Sequence, residues 1–149
     1  MSGKKQPVSV LVVIYTVDFE VLLLERADYP NYWQSVTGSR DGDETLYETA
    51  VREVQEETGL LSHCYELSDW QMQNHYEIYP HWRHRYAEGV TQNVEHVFGL
   101  ALPHRIEITL APREHLNYQW LPLHEAAAKV FSPSNRDTLL KLKQVRKVR

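Results

Sequence analysis

Between Gly38 and Gly59 the chain carries a run, Thr45 to Thr58, that is free of glycine and proline and rich in helix formers. It reads as loop, helix, loop, with Gly59 as the helix C-cap. Leu46, Ala50 and Val54 recur at every fourth position, an apolar stripe that obliges this helix to pack on a core. Glu53, Glu56 and Glu57 stand three and four residues apart on another face, where their carboxylates converge.

A solvated acidic face is the ordinary explanation of such a cluster. Three carboxylates within two turns repel one another, however, and weaken the helix unless cations neutralise them. Hard divalent ions such as Mg²⁺ or Mn²⁺ take oxygen ligands, keep several waters and bind readily where phosphate oxygens complete the shell. Arg52 is expected to pair with Glu44 or a neighbouring carboxylate and so to fix the loop against the helix.

The series Gly38, Glu44, Arg52, Glu53, Glu56, Glu57 and Gly59, with apolar Val54 and Leu60, resembles the complete box of the Nudix family. That resemblance implies an α/β fold, an α/β/α sandwich around a mixed central β-sheet. It also implies hydrolysis of a nucleoside diphosphate linked to another moiety, with Mg²⁺, or Mn²⁺, on the box glutamates. Carried over by position, Glu53, Glu56 and Glu57 are the metal ligands, Arg52 and Glu44 the supporting pair, and Gly38 the loop glycine. Ser39 stands where many members have a second glycine. The box covers about a sixth of the chain and specifies catalysis better than substrate.

Composition agrees with one compact domain spanning residues 1–149, large enough for a single core. Sixteen basic against twenty acidic residues give a net charge of −4, which exerts no strong pull toward nucleic acid or an anionic membrane. The lone cysteine, Cys64, excludes an internal disulfide framework and fits a reducing, cytoplasmic setting. The apolar run after Pro7 is too short for a membrane span, and no targeting signal is legible.

Val8 to Tyr15 and Val21 to Leu24 read as paired strands around a turn near Asp18, and Trp33 to Val36 as a third strand leading to the box loop. Leu67 to Tyr79 and Val94 to Leu102 are further strands, separated by a long polar connection from Pro80 to Gln92. A last strand near Tyr118 to Leu121 precedes a helix started by Pro122. Ser134 or Asn135 is the expected cap of a final helix reaching about Val145. The basic tail, Lys141, Lys143, Arg146, Lys147 and Arg149, reads as a solvated helix end suited to the macrodipole, with a phosphate-binding arm as its alternative.

Hydrolysis of a phosphoanhydride needs charge neutralisation, an activated water and a fixed line of attack. Glu57 is a candidate to orient that water, and Glu114 and Glu95 are candidates for an acid outside the box. An inward carboxylate on the strand around Glu95 is costly without a metal, although an ordinary surface position is equally plausible for it. In the segment His81 to Tyr86, Arg83, His84 and Arg85 supply donors for a polyphosphate, while Trp82 and Tyr86 offer faces for a heteroaromatic base. Arg26 is a further phosphate contact or a structural ion pair.

Beyond the box, Pro7 to Tyr15, Tyr32 to Ser39, Arg83 to Ala87, Gly89 to Thr91, Leu100 to His104 and Glu114 to Leu116 with Trp120 resemble a bacterial branch of the family. Members of that branch remove pyrophosphate from 7,8-dihydroneopterin 3'-triphosphate, an early step of folate synthesis, and also act on dATP. The resemblance implies Glu53 and Glu57 as leading metal ligands with Glu56 beside them, and Glu114 ahead of Glu95 as the outside acid. It places the strand with Trp33 and Ser35 beside the substrate and Arg83 to Tyr86 near its phosphates or pterin. The expected partner is therefore a small molecule, a pterin or nucleoside triphosphate, with no obligate protein partner. A general deoxynucleoside-triphosphate hydrolase would share the box. A non-catalytic nucleotide sensor predicts lost glutamates, and the box is intact.

Overall fold

Val8–Thr16 forms strand β1, whose side chains alternate between two cores. Leu11, Val13 and Tyr15 enter one, and Val10, Val12 and Ile14 the other. A strand covered on both faces is apolar throughout rather than alternating, which is why this stretch of sequence has so few polar residues. The computed structural model describes residues 4–148.

The chain continues through Glu20–Arg26 (β2), Trp33–Gln34 (β3), Val36–Ser39 (β4), the helix Leu46–Thr58 (α1), Glu66–Glu77 (β5), Gln92–Leu102 (β6) and His115–Pro122 (β7). It closes with the helices Leu123–Lys129 (α2), Pro133–Leu140 (α3) and Leu142–Val148 (α4). β1 runs parallel to β6, from Val8 beside Val94 to Thr16 beside Leu102. The other pairings are antiparallel: β5 with β6, β2 with β3 and β7, and β1 with both β4 and β2. Helix α1 covers one face of this mixed sheet through Ala50 and Val54. α2, α3 and α4 cover the other through Leu123, Ala126, Ala127, Leu139 and Leu142. The expected α/β/α sandwich is the observed architecture.

β1 changes partner along its length. Ser9 to Val12 pair with β4, whereas Tyr15 pairs with Val21 of β2. β2 meanwhile pairs with β7 from Glu20 to Arg26, so the sheet parts between β4 and the β2–β3–β7 group. The site lies at that opening.

Several boundaries differ from the sequence expectation. The strand expected over Trp33 to Val36 is two strands, because the Ser35 N–H donates to Asn135 Oδ1 (2.9 Å) and the chain crosses there from β2 to β1. The last helix is capped not by Ser134 or Asn135 but by Ser132, whose hydroxyl accepts from the Asn135 N–H (3.4 Å), with Pro133 in the first turn. It is interrupted at Lys141, where the N–H turns back to Thr138 O (3.1 Å) and α4 begins afresh. Pro122 is extended and caps α2 rather than opening it. The polar connection contains a 3₁₀ turn, Pro80–Arg85. Of the basic tail, Lys143 lies over the Phe19 ring, and Arg146 pairs with Glu66 (3.4 Å) and lies over Tyr15. The Lys147 side chain and Arg149 fall outside the described residues.

Candidate active site

Helix α1 is fixed at both ends. Thr45 Oγ1 accepts from the Glu48 N–H (3.1 Å) and Glu48 Oε1 accepts from the Thr45 N–H (2.8 Å), a reciprocal capping box. At the other end Gly59 takes a left-handed conformation (φ 76°) and donates to Gln55 O (2.9 Å). Arg52 ties the box loop to this helix. Its Nε and Nη2 reach the two oxygens of Glu44 at 2.7 and 3.0 Å, and Nη2 also donates to Ser39 O (3.0 Å). The guanidinium holds the Glu44 carboxyl at about 2.

Glu53 and Glu57, one turn apart, share a hydrogen bond under the box loop. A Cβ on Gly38 would overlap the Glu53 carboxylate, so any side chain there must push that acid aside. Burial pushes Glu53 up to about 7, against the opposing pull of Arg52. Glu57 is 4% exposed, and burial followed by the charges of Glu53 and Glu114 pushes it well above the carboxylate range. Glu57 Oε1 is buried without a hydrogen-bond partner. His115 Nε2 is 3.7 Å away, but burial lowers His115 to about 4, so it is neutral and this contact is no ion pair. Glu56 is placed differently: its side chain is 52% exposed and held by Arg52 at 3.1 Å.

Glu57 and Glu114 open into a cavity of about 600 Å³ at the parting of the sheet, a size ordinary for a small-molecule site. Lys5, Gly38 and Ser39 line it near these carboxylates. Of the basic-aromatic segment, Trp82, Arg85 and Tyr86 line the cavity, whereas Arg83 turns away to Ile78 O (2.9 Å) and the His84 carbonyl accepts from Lys4 (3.0 Å). Asp28 gathers two of the cavity cations. Arg26 makes a bidentate pair with it (2.8 and 2.8 Å), Arg85 joins at 2.8 Å, and Arg26 lies 4.3 Å above the Trp82 ring. Arg26 is thus both a cavity wall and part of an ion pair.

The strand expected beside the substrate contributes Gln34 instead of Trp33. Trp33 packs in the core under Lys129, because side chains alternate along β3. Ser35 is fully buried and bonded through its hydroxyl to Asn135 Nδ2 (3.1 Å), so it anchors α3 and is not a cavity residue. Sequence reasoning missed the far wall, made of Ser9, Tyr76, Asn93, Phe131, Ser134 and Asn135. No spacing announces it, since it draws on β1, β5, β6 and the start of α3. Glu95 belongs to this wall, 4% exposed, accepting from Asn74 Nδ2 (3.1 Å) and pushed by burial up to about 7.

Among the described residues no three His, Cys, Asp or Glu side chains form a ready ligand cluster. Mg²⁺ needs none, because it is held by one or two carboxylates with waters and substrate phosphates. The residues fit such an ion. Glu57 Oε1 is an orphaned buried acceptor, and the charges of Glu53, Glu57 and Glu114 act on one another.

A box helix carrying convergent carboxylates, at the parting of a mixed sheet between two helical layers, defines a Nudix hydrolase. The NUDIX domain model matches residues 5–142, and the chain belongs to that family, which is generally Mg²⁺-dependent. It is 49% identical over 138 residues to the dihydroneopterin triphosphate diphosphatase of Escherichia coli strain K12, covering 91% of each chain. It is 39% identical over 144 residues to the Haemophilus influenzae enzyme of the same name, covering 95% of this chain and 90% of that one. The solved structure of the E. coli dihydroneopterin triphosphate pyrophosphohydrolase superposes with a TM-score of 0.86 at 48% identity, over 91% of this chain and 94% of that one. An Ap4A hydrolase from C. elegans, at 21% identity and a TM-score of 0.74, shares the fold.

Proposed function

We propose that this chain hydrolyses 7,8-dihydroneopterin 3'-triphosphate to the monophosphate and pyrophosphate. The observation that carries this reading is one continuous cavity joining the box glutamate Glu57 and the outside acid Glu114 to a polar and aromatic wall able to hold a flat heterocycle. Near-full-length similarity to two dihydroneopterin triphosphate diphosphatases supports it.

In this reading Glu53, Glu57 and Glu114 hold Mg²⁺, or Mn²⁺ in its place, with Glu56 supplying a further carboxylate from the rim. The bound ion would neutralise phosphate charge and lower the pKa of a coordinated water. Glu57 or Glu114 accepts the proton of the attacking water. Oxygen adds to the α-phosphorus, the α–β anhydride bond breaks, and pyrophosphate leaves. Arg52 keeps Glu53 and Glu56 in place through its grip on Glu44. Lys5 and Arg85 meet phosphate oxygens, while Trp82 and Tyr86 wall the site. Comparing kcat/KM for pyrophosphate release from dihydroneopterin triphosphate and from dATP, each with Mg²⁺, tests the proposal. Strong preference for the pterin supports it, and equal or better use of dATP makes the protein a nucleotide hydrolase.

A further inference from the structure

Glu95 is the buried acid that the chemistry above leaves unused. It lines the same cavity as Glu57 of α1 and Glu114 of the turn before β7, yet it stands on strand β6 in the far wall. Among the described residues it has no ion pair. Its bonded neighbours are the Asn74 amide, which also donates to Thr138 Oγ1 (3.1 Å), and the Ser134 hydroxyl, both neutral donors. A carboxyl buried beside neutral groups is costly unless further donors reach it.

Two residues earlier on the same face, Asn93 repeats the theme. Its Nδ2 is spent on Ser9 Oγ (2.7 Å) and the Tyr76 hydroxyl (3.0 Å), leaving Oδ1 buried without a partner. This wall therefore keeps one buried acceptor, Asn93 Oδ1, without a donor beside the buried Glu95 carboxyl. It calls for a ligand edge rich in N–H groups.

We propose that Glu95 selects the heterocycle, its carboxylate accepting the two adjacent N–H groups, N3–H and the 2-amino group, of a 2-amino-4-oxo pyrimidine edge. This inference rests on the reading of a pterin triphosphate as substrate and names what recognises it. A dihydropterin presents that donor pair, and a carboxylate accepts both donors at once. Adenine offers a donor beside an acceptor along the corresponding edge, so one carboxylate oxygen would face a lone pair.

Register supplies the spacing. Ser9 of β1 pairs with Ser39 on one side and with Glu95 on the other. Glu95 therefore stands two strands, about 10 Å, from the box loop. A triphosphate on a three-carbon side chain spans that distance, which lets the ring reach Glu95 while its phosphates reach Glu57.

The test is Glu95→Gln, which keeps the shape and the Asn74 contact but turns one acceptor into a donor. The ratio of kcat/KM for dihydroneopterin triphosphate to that for dATP should fall on the order of 100-fold, and binding of dihydroneopterin monophosphate, followed by titration, should weaken in parallel. Equal losses on both substrates, or an unchanged ratio, overturn the assignment. Should the wild-type protein turn over no pterin triphosphate, the proposed function fails by itself. Monophosphate binding then decides on Glu95, with weaker binding by the variant upholding the subsite and equal affinity rejecting it. Should Glu95→Gln not fold, Glu95→Asp, which retains the charge but withdraws it by one methylene, must still lower the same ratio.

Discussion

The carboxylate of Glu53 occupies the space in which Gly38 would carry a side chain. Loop and helix thus touch through a backbone and an acid, and the box glycine is a packing requirement of the box glutamate. Gly38→Ala should displace the Glu53 carboxylate, at a cost in stability of no more than about 1 kcal/mol because a flexible side chain can give way. Urea unfolding reads the stability, and a matching collapse of turnover would locate the damage at the carboxylates. Full activity in the variant would contradict the close approach.

Glu57→Gln should remove most turnover while leaving the fold intact. Its carboxyl is buried, pushed up by its surroundings and orphaned at Oε1, so a neutral amide relieves an electrostatic cost in the metal-free protein. Circular dichroism and a melting curve at or above the wild-type value check the fold. Near-normal kcat would sink the assignment of Glu57, and Glu114→Gln tests the outside acid in the same way.

Stability of the metal-free protein should fall as pH rises from about 4.5 to about 7. Glu53 and Glu95 titrate near 7 in the folded chain, against an ordinary value of 4.5. The folded state then holds protons that the unfolded state has released, and stability declines with pH. His115, lowered to about 4, works the other way, adding stability as pH climbs from 4 to 6.5 and nothing beyond. If Mg²⁺ is held by these carboxylates as proposed, it requires their ionised form, so the melting temperature it adds should grow between about pH 6 and pH 8. A metal-induced shift independent of pH would contradict this linkage.

Asp28→Ala should raise KM by about tenfold, about 1.4 kcal/mol, with a smaller change in kcat. Asp28 holds Arg26 and Arg85 beside Trp82, and the two cations hold its carboxyl well below the usual range. Losing it frees the cavity wall without touching Glu53 or Glu57. Steady-state kinetics in which kcat falls and KM stays constant would place Asp28 in the chemistry instead.

Thr45→Ala should cost about 1 kcal/mol through loss of the capping box and leave kcat/KM close to wild type. Chemical denaturation alongside kinetics separates the two effects. A large kinetic loss would mean that the start of α1 positions the glutamates more directly than its cap implies.

Much of this was legible in the amino-acid order because it rests on local chemistry. The glycine-bracketed run, its apolar stripe and the Glu44–Arg52 spacing specify α1, its C-cap at Gly59 and its tie to the loop, all within 22 residues. β1 was likewise visible as an apolar, β-branched-rich run, whereas its burial on both faces emerged only with the tertiary fold. Tertiary structure decided which glutamates face inward. Glu53 and Glu57 lie under the loop while Glu56 stays outside with Arg52, a difference set by the rotation of α1 on the sheet. It also broke the Trp33 to Val36 strand, by spending the Ser35 N–H on Asn135, a hundred residues away. The far wall depended on it most. Ser9, Asn93, Glu95 and Ser134 become neighbours only when β1 pairs in parallel with β6 and α3 packs across them, contacts that no sequence periodicity encodes.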